Sequence, residues 1–342
     1  MKTAIIFGGT GFIGSFFARH LIEDLNYSKV FLYDYESFSE KDSNYRINMF
    51  NNDQDIEFIR GDVREEIKWM PSQSIDLIAN FAAIHREPGH EDFEYFECNI
   101  LGAENVCAWA ERVNCKHLIF SSSIAPYGPS EDPKDEDSIP VPITPYGSSK
   151  LVAENIHQTW QSKDTLTRKL VIIRPGVVFG PSEGGNVSRL IKAVLNRYFV
   201  YTGNKNTRKA GVYIKELCNA LIWVFESEKA KKDGVTIFNM TMNPGPSIRD
   251  YVESIARIEK KRVFVPNLPS TFLIIIATIL DFFLSIFKIT HPFSPLRIRK
   301  LTRSNNIIPS YLINNKYKYK YSLDSALKDW KNECPESTMP KL

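Results

Sequence analysis

Residues 4–14 read Ala-Ile-Ile-Phe-Gly-Gly-Thr-Gly-Phe-Ile-Gly, an apolar run that leads into glycines at positions 8, 11 and 14. Apolar residues then recur at helical spacing as far as Leu25, so the stretch predicts a strand, a tight turn and a helix. Gly8 would form the turn, Gly11 would let the backbone approach a pyrophosphate, and Gly14 would let helix and strand pack closely. The free amides at the start of this helix favour an anion.

Further apolar runs of strand length alternate with helical patterns along the chain. Such alternation predicts an α/β fold with a doubly wound parallel Rossmann sheet, because right-handed crossovers place helices on both faces. After Pro175 the pattern becomes richer in turns, which indicates a smaller, discontinuous C-terminal substrate lobe. The predicted strands cover 4–7, 30–33, 56–59, 75–81, 117–121, 170–173 and 235–240, and the clearest later helices cover about 95–112 and 146–161.

Asp34 ends the second predicted strand, about twenty residues after the glycines. A carboxylate there can accept hydrogen bonds from both hydroxyls of an adenosine ribose, and it would repel a 2′-phosphate. Because no arginine directly follows Asp34 to receive such a phosphate, we predict NAD as the cofactor. We therefore expect an NAD-binding Rossmann domain over 1–174, with 210–240 returning to it. The substrate-binding lobe would comprise 175–209 and 241–330, and 331–342 would form a tail.

Tyr146 and Lys150 stand at i and i+4, which places both on one face of a helix. Three serines, Ser121 to Ser123, follow a predicted core strand upstream of that helix. A tyrosine ionises near pH 10, so a phenol that acts as a base near pH 7 needs nearby positive charge. Lys150 and a nicotinamide ring would supply that charge, and Ser123 would hold the substrate oxygen. The spacing thus predicts a catalytic Ser123, Tyr146 and Lys150.

Six motifs in this order resemble the extended short-chain dehydrogenases, the NAD-dependent epimerase/dehydratase family, over roughly residues 1–250. They are GGTGFIG, Asp34, the segment Asn80-Phe81-Ala82-Ala83, FSSSIAPYG, YGSSK and the segment RPGVVFGP that begins at Arg174. The resemblance implies the same catalytic triad and a dimer formed through two long helices. It also implies NAD contacts from Gly8, Gly11, Phe12, Ile13, Gly14, Asp34, Asp62, Val63, Ala82, Asn99, Tyr146, Lys150 and Pro175.

The chain departs from the family pattern at two places. Family 4,6-dehydratases carry an Asp-Glu pair directly after the catalytic Ser or Thr, whereas Ile124 and Ala125 follow Ser123 here. Without that acid and base, dehydration is disfavoured. Many family epimerases carry Asn where this chain has Val177, which leaves one sugar-nucleotide contact in doubt.

Substrate contacts are predicted from polar side chains near the expected cleft. His85 and Arg86 follow the fourth strand beside the expected nicotinamide, although a local Arg86–Glu87 salt bridge explains that loop equally well. Guanidinium groups suit diphosphates, so Arg189 and Arg208 are candidates, together with Ser123 and Asn186.

Three functions remain open. The first is an NAD-dependent sugar-nucleotide epimerase, with a UDP-sugar favoured, that works through a transient keto-sugar by Tyr-assisted hydride transfer. The second is a 4-keto-sugar-nucleotide reductase or a hydroxysteroid-type dehydrogenase with net NAD(H) turnover. The third is a non-catalytic NAD-binding subunit, against which the intact triad argues.

Composition and charge limit the classes of partner and cofactor that we expect. The formal net charge of the 342 residues is +3 and the basic residues are scattered, so we expect no nucleic-acid partner. The five cysteines form no C-x-x-C pair and no histidine stands at metal-ligand spacing, which predicts reduced thiols, no metal and a cytoplasmic protein. The homodimer is expected from the family resemblance alone. The start of the chain lacks the features of an export signal.

The segment Thr271 to Phe287 is apolar except for Asp281. It falls just short of the roughly 20 residues that a spanning helix needs. A carboxylate near a bilayer centre costs about 2.5–3.5 kcal/mol, so we expect either a buried helix or a peripheral membrane contact through this segment.

Overall fold

The structure is a computed structural model that describes residues 2–39, 44–50, 53–87, 89–227, 232–286 and 304–335. Its strands are β1 (Thr3–Phe7), β2 (Lys29–Asp34), β3 (Ile56–Arg60), β4 (Leu77–Asn80), β5 (His117–Ser121), β6 (Ser130–Lys134), β7 (Lys169–Pro175), β8 (Val177–Phe179), β9 (Tyr201–Thr202), β10 (Gly211–Tyr213), β11 (Val235–Met240), β12 (Asn267–Leu268) and β13 (Asn305–Ile307).

The α-helices are α1 (Phe12–Glu23), α2 (Asn44–Met49), α3 (Asp92–Phe96), α4 (Gly102–Arg112), α5 (Pro145–Ser162), α6 (Asn186–Leu195), α7 (Ile214–Glu226), α8 (Ile248–Ile258), α9 (Ser270–Ile286), α10 (Ser310–Asn314) and α11 (Leu323–Glu333). A π-helical segment (Glu97–Leu101) joins α3 to α4, and a 3₁₀ turn covers Ala125–Tyr127.

Seven strands form one parallel sheet in the order β11-β7-β5-β4-β1-β2-β3. This arrangement confirms the predicted doubly wound Rossmann sheet. The chain leaves β1 toward β2 on one side and later returns to β4 on the other, so the carboxyl ends of β1 and β4 flank the topological switch point. Ligands of open α/β sheets bind in the crevice at such a point.

The core lies on both faces of this sheet. Along β1, Ala4 and Ile6 belong to one buried cluster, while Ile5 and Phe7 belong to the other. Successive side chains of a strand point to opposite faces, so β1 must be apolar throughout when helices cover both faces. This is why the buried strands read as continuous apolar runs in the sequence.

Three short parallel strand pairs lie outside the main sheet: β8 with β10, β9 with β12, and β6 with β13. The sequence patterns did not predict these pairs, because five of the six strands have only two or three residues and the sixth, β6, reads SEDPK and has no apolar residue. The pair β9–β12 joins residues from the two separate stretches assigned to the substrate lobe. The domain boundaries themselves stay a prediction.

Helix α9 covers the apolar segment singled out in the sequence as far as Ile286, and Phe287 lies outside the described residues. Leu273 and Ala277 are buried in a small cluster with Val200 and Leu268. Within the described ranges no helix has the length and apolar character needed to cross a membrane.

Candidate active site

The glycine turn after β1 is held by backbone contacts that leave no room for side chains. Gly8 has φ +74 and its N–H donates to the carbonyl of Tyr33 over 2.9 Å. A Cβ on Gly8 would lie 2.7 Å from the amide nitrogen of Ala82, and one on Gly14 would lie 2.3 Å from the carbonyl oxygen of Gly8. Helix α1 therefore starts directly against the turn, which brings its first amides to the switch point.

Asp34 is buried at the end of β2 and is oriented by this turn. Its Oδ2 accepts hydrogen bonds from the amide and hydroxyl of Thr10, over 3.1 and 2.7 Å, and its Oδ1 accepts one from the amide of Tyr35 over 3.0 Å. These contacts hold the carboxylate beside the glycine turn.

Arg46, which the sequence analysis did not single out, lies beside Thr10 and Asp34. It belongs to α2, and its Nη1 donates to the carbonyl of Thr10 over 2.7 Å. Burial lowers the pKa of Arg46, while the nearby charge of Asp34 acts in the opposite direction. The adenosine end of the expected cofactor groove thus carries a carboxylate and a guanidinium together, although no arginine directly follows Asp34.

Asn99 connects the loop after β4 to helix α5. It lies buried in the π-helical segment, where its Oδ1 accepts from the amide of Ile84 over 3.0 Å. Its Nδ2 donates to the carbonyl of Ile84 over 3.1 Å and to Oγ of Ser149 over 2.9 Å. Asn99 therefore fixes the spacing between the cofactor side of the crevice and the helix that carries Tyr146.

Three further predicted cofactor residues, Asp62, Val63 and Pro175, lie at or just after the carboxyl ends of strands, whereas Phe12 and Ile13 lie in the first turn of α1. Asp62, after β3, forms an ion pair with Arg64 in which Oδ2 and Nη2 are 2.5 Å apart. Val63 is buried and lies against Gly102 at the start of α4. Pro175 ends β7, and its carbonyl accepts from the amide of Ile124 over 3.1 Å, directly beside Ser123.

Tyr146 and Ser123 meet between β5 and α5. Thr144 caps this helix by accepting from the amide of Gly147 over 3.1 Å, and Pro145 occupies its first turn, so α5 begins one residue before Tyr146. The side chain of Ser123 lies close enough to the phenol of Tyr146 to lower its pKa. Oγ of Ser123 accepts from the amide of Ala125 over 3.1 Å.

The surroundings of Tyr146 disfavour its phenolate. Burial raises the pKa of Tyr146 to about 12, Glu87 and Tyr95 add to the rise, and Ser123 acts against it. The sequence analysis expected Lys150 and a nicotinamide ring together to lower this pKa. Among the protein groups that act on Tyr146, burial has the largest effect.

Lys150 is almost fully buried, and its ammonium lies 4.5 Å from the ring centroid of Phe120. Burial lowers the pKa of Lys150 to about 8, against the charges of Cys98 and Glu154, which raise it. Phe120 stacks on its other side against His157, with ring centroids 4.0 Å apart. The ammonium is thus held by an aromatic face rather than by a close carboxylate.

A buried polar network that the sequence analysis missed lies behind the triad. Glu154, one turn after Lys150, accepts two hydrogen bonds from Arg174 over 2.9 and 2.6 Å and one from the hydroxyl of Ser122 over 2.5 Å. Arg174 also donates to the hydroxyl of Tyr127 over 2.7 Å. The spacing of Tyr146, Lys150 and Glu154 at i, i+4 and i+8 was a signal that could have revealed Glu154.

The loop after β4 lies close to Tyr146. The hydroxyl of Tyr95 donates to the carbonyl of Arg86 over 2.5 Å, and the rings of Tyr95 and Tyr146 are 6.2 Å apart. Burial lowers the pKa of His85, and the charge of Arg86 lowers it further. Two of the predicted substrate residues, His85 and Arg86, therefore belong to the surroundings of the triad.

The other predicted substrate residues belong to a different part of the chain. Asn186 begins α6, Nε of Arg189 donates to the carbonyl of Gly185 over 3.0 Å, and Arg208 donates to the carbonyl of Gly245. Among the described residues, no hydrogen bond or ion pair joins these three to the triad. Over the residues that the structure describes, no group of three His, Cys, Asp or Glu side chains could hold a metal ion.

Comparison with known families gives a match over most of this architecture. The model described as the NAD dependent epimerase/dehydratase family matches residues 4–240. This range includes the main sheet, apart from the first residue of β1, and the residues Ser123, Tyr146 and Lys150.

Individual relatives are similar to the chain at moderate identity. An N-acetyl-alpha-D-glucosaminyl-diphospho-ditrans,octacis-undecaprenol 4-epimerase of Escherichia coli O157:H7 is 29% identical over 210 residues, 61% of this chain and 62% of that protein, which is less than two thirds of its length. A UDP-glucose 4-epimerase of Lactobacillus helveticus is 28% identical over 284 residues, 75% of this chain and 82% of that protein.

Among solved structures, the UDP-glucuronic acid 4-epimerase from Bacillus cereus in complex with NAD is similar in fold. It has a TM-score of 0.75 at 19% sequence identity, covering 98% of this chain and 100% of that one.

Proposed function

The chain belongs to the NAD-dependent epimerase/dehydratase family, and we propose that it is an NAD-dependent 4-epimerase of a sugar carried on a diphosphate, with a UDP-sugar favoured. The observation that carries this proposal is the approach of Ser123 to the phenol of Tyr146, one helical turn from the buried ammonium of Lys150. The names of the similar proteins from Escherichia coli and Lactobacillus helveticus, both 4-epimerases, support the choice of reaction.

The residues at the switch point fit NAD. The turn at Gly8 and Gly14 leaves a cradle that a Cβ would fill, and no described side chain caps the start of α1, so its first amides can receive the pyrophosphate. Asp34 would accept hydrogen bonds from the adenosine ribose, and Asn99 and Pro175 would line the nicotinamide end. The chemistry that NAD supplies when bound is reversible storage of the hydride from C4, so that reaction on the other face of the ketone gives the epimer without net redox.

Within this scheme Tyr146 removes the proton of the 4-hydroxyl as the hydride leaves and returns it in the reverse step. Its phenol must be ionised for this, yet burial raises its pKa to about 12 in the protein alone. The positive charges of Lys150 and of the oxidised cofactor would lower that pKa, so that the base forms when the site is loaded. Ser123, beside the phenol, would hold the substrate oxygen in line.

The residues after Ser123 favour epimerisation over dehydration. Elimination of water needs an acid and a base at the positions taken here by Ile124 and Ala125, neither of which can exchange a proton. Contacts from His85, Arg86, Asn186, Arg189 and Arg208 to the sugar or its diphosphate belong to this proposal, as does a homodimer.

A second substrate class is supported by one specific comparison. The Escherichia coli relative is named for a sugar diphosphate on undecaprenol rather than on a nucleotide. The diphosphate and the sugar are common to both classes, so the triad would act on either. The peripheral membrane contact expected for Thr271–Phe287 fits the lipid-linked class and is argued separately below.

Turnover assays separate the open functions. Purified protein should interconvert UDP-glucose or UDP-N-acetylglucosamine with its 4-epimer, detected by NMR, without added nucleotide and with NAD retained. Consumption of stoichiometric NADH would instead establish the reductase or hydroxysteroid-type dehydrogenase, and NAD binding without turnover of any sugar would leave a non-catalytic subunit. Turnover of a polyprenyl diphosphate sugar alone would identify the lipid-linked class.

A further inference from the structure

Helix α9 is apolar on two opposite faces. Leu273 and Ala277 face the protein and are 5% and 0% exposed, whereas Phe272, Ile275 and Ile279 are 52%, 58% and 52% exposed. The three exposed residues follow one another at i, i+3 and i+7, so they form a single stripe. The outward stripe of a helix on a water-soluble surface is normally polar, so this stripe is suited to an apolar partner.

The strands beneath α9 extend this apolar surface. Tyr201 of β9 is paired in parallel with Asn267 of β12, and its amide donates to the carbonyl of Pro266 over 2.9 Å. Phe264, which precedes β12, is 89% exposed.

The alternation of side chains before β12 places Phe264 on the side of α9. Leu268 packs against α9, whereas Val263 and Val265 pack against the main core. Phe264 points the same way as Leu268, because side chains two apart in an extended chain share a face. We call Phe264, Phe272, Ile275 and Ile279 the apolar patch.

Basic residues border the apolar patch. Lys260, Lys261 and Arg262 precede Phe264 in the sequence and are all exposed. No ion pair holds any of these three within the described residues. Their charge complements an anionic surface.

We propose that the apolar patch docks this protein on the surface of an anionic lipid membrane. Phe264, Phe272, Ile275 and Ile279 enter the boundary between headgroups and acyl chains, and Lys260, Lys261 and Arg262 face the lipid phosphates. A helix that lies in the plane of the interface needs no spanning length, which agrees with the length of α9. This inference goes beyond the proposed reaction and does not depend on it.

Co-sedimentation with vesicles tests the proposal. The full chain should sediment with vesicles of phosphatidylglycerol and phosphatidylcholine and much less with phosphatidylcholine alone. The triple variant Phe272→Ser/Ile275→Ser/Ile279→Ser should lose at least about tenfold in partitioning, because three apolar side chains no longer enter the lipid. The variant Lys260→Glu/Lys261→Glu/Arg262→Glu should bind as weakly to the anionic vesicles as the wild type binds to the neutral ones.

A matched control is the double variant Ile139→Ser/Leu166→Ser, which removes two other highly exposed apolar side chains and should sediment like the wild type. Circular dichroism of all variants should match the wild type, since every changed residue is exposed. The proposal is overturned if the wild type stays in the supernatant with anionic vesicles, or if the triple variant sediments equally well. It is also overturned if the triple change converts a dimer to a monomer in light scattering without altering lipid binding, because the patch would then bind a second copy. None of these measurements uses turnover. A failure of the membrane proposal can therefore be distinguished from a failure of the proposed reaction.

Discussion

The guanidinium of Arg174 and the carboxylate of Glu154 form a two-point ion pair with side chains 6% and 1% exposed, directly behind the triad. Glu154 is four residues after Lys150 on α5, and Arg174 precedes Pro175 at the end of β7. The pair therefore ties the helix that carries Tyr146 to the strand that ends beside Ser123.

Removing one partner of this pair should destabilise the fold. Glu154→Gln leaves the Arg174 charge buried without its counter-ion, which costs about 3–5 kcal/mol. Urea unfolding would measure the loss. Asp324→Asn, which breaks the exposed pair with Arg257, is the matched control and should change the free energy of unfolding by about 1 kcal/mol or less. Equal effects of the two substitutions would contradict the structural role of the buried pair.

The same substitution should also move the pH profile of turnover. Glu154 raises the pKa of Lys150, which burial brings down to about 8. In Glu154→Gln the ammonium should deprotonate at lower pH, so the alkaline limb of kcat should shift to lower pH in the folded variant. A role confined to stability would leave that limb unchanged.

Replacing Lys150 should stabilise the protein while removing activity. Its pKa falls from 10.5 to about 8, so at pH 7 its buried charge costs roughly 3 kcal/mol. The unfolded chain binds more protons between these pKa values, so the wild type should gain stability as the pH rises from about 8 to 10.5. Lys150→Met should have a higher Tm at pH 7 and lack this gain. Lys192→Met, at an exposed lysine, is the control and should change neither the Tm at pH 7 nor the gain in stability between about pH 8 and 10.5. A lower Tm for Lys150→Met would contradict the cost of the buried charge.

Tyr146→Phe should reduce kcat by about 10²–10⁴ and leave NAD affinity nearly unchanged. The substitution removes the proton acceptor and keeps the ring against Tyr95. Turnover on a soluble UDP-sugar and calorimetric titration with NAD would measure the two quantities. Tyr198→Phe, a distant exposed tyrosine, should turn over normally. Retained turnover in Tyr146→Phe would rule out this base.

The glycine turn should tolerate no added methyl at position 14. Gly14→Ala brings a Cβ to 2.3 Å from the backbone oxygen of Gly8, so α1 must shift and NAD affinity should fall by at least about tenfold. Gly245→Ala is the matched control, since its Cβ would meet nothing nearer than 3.9 Å. Calorimetry with NAD on both variants tests the cradle, and equal affinities would show that the turn does not receive the cofactor.

Asp34 and Arg46 together should set the preference between NAD and NADP. Asp34→Ser removes the charge that repels a 2′-phosphate and keeps a guanidinium beside Thr10, so affinity for NADP should rise relative to NAD. Adding Arg46→Met to that variant should cancel the gain. If the double variant binds NADP as well as the single one, Arg46 does not face the ribose.

The Rossmann sheet and its glycine turn could be predicted from the sequence, because the patterns that indicate them are local. A buried parallel strand reads as an apolar run, and a glycine triplet, a strand-end carboxylate and a Tyr–Lys pair at i and i+4 each fall within one or two elements. The first and last residues of the helices were predicted less accurately. The predicted helix over 95–112 proved to be α3, a π-helical segment and α4, and apolar periodicity alone does not distinguish a π turn.

The sequence by itself determined the doubly wound sheet, the place of the glycine turn and the order of the six motifs, since periodicity and glycine spacing act between near neighbours. Only the tertiary structure decided that Arg46 lies beside Asp34, that Asn99 joins Ile84 to Ser149, and that Glu154 pairs with Arg174. It also decided that the pKa of Tyr146 rises. These properties depend on burial and on which distant strands lie side by side, and an electrostatic interaction is set by distance and solvation in space rather than by separation along the chain.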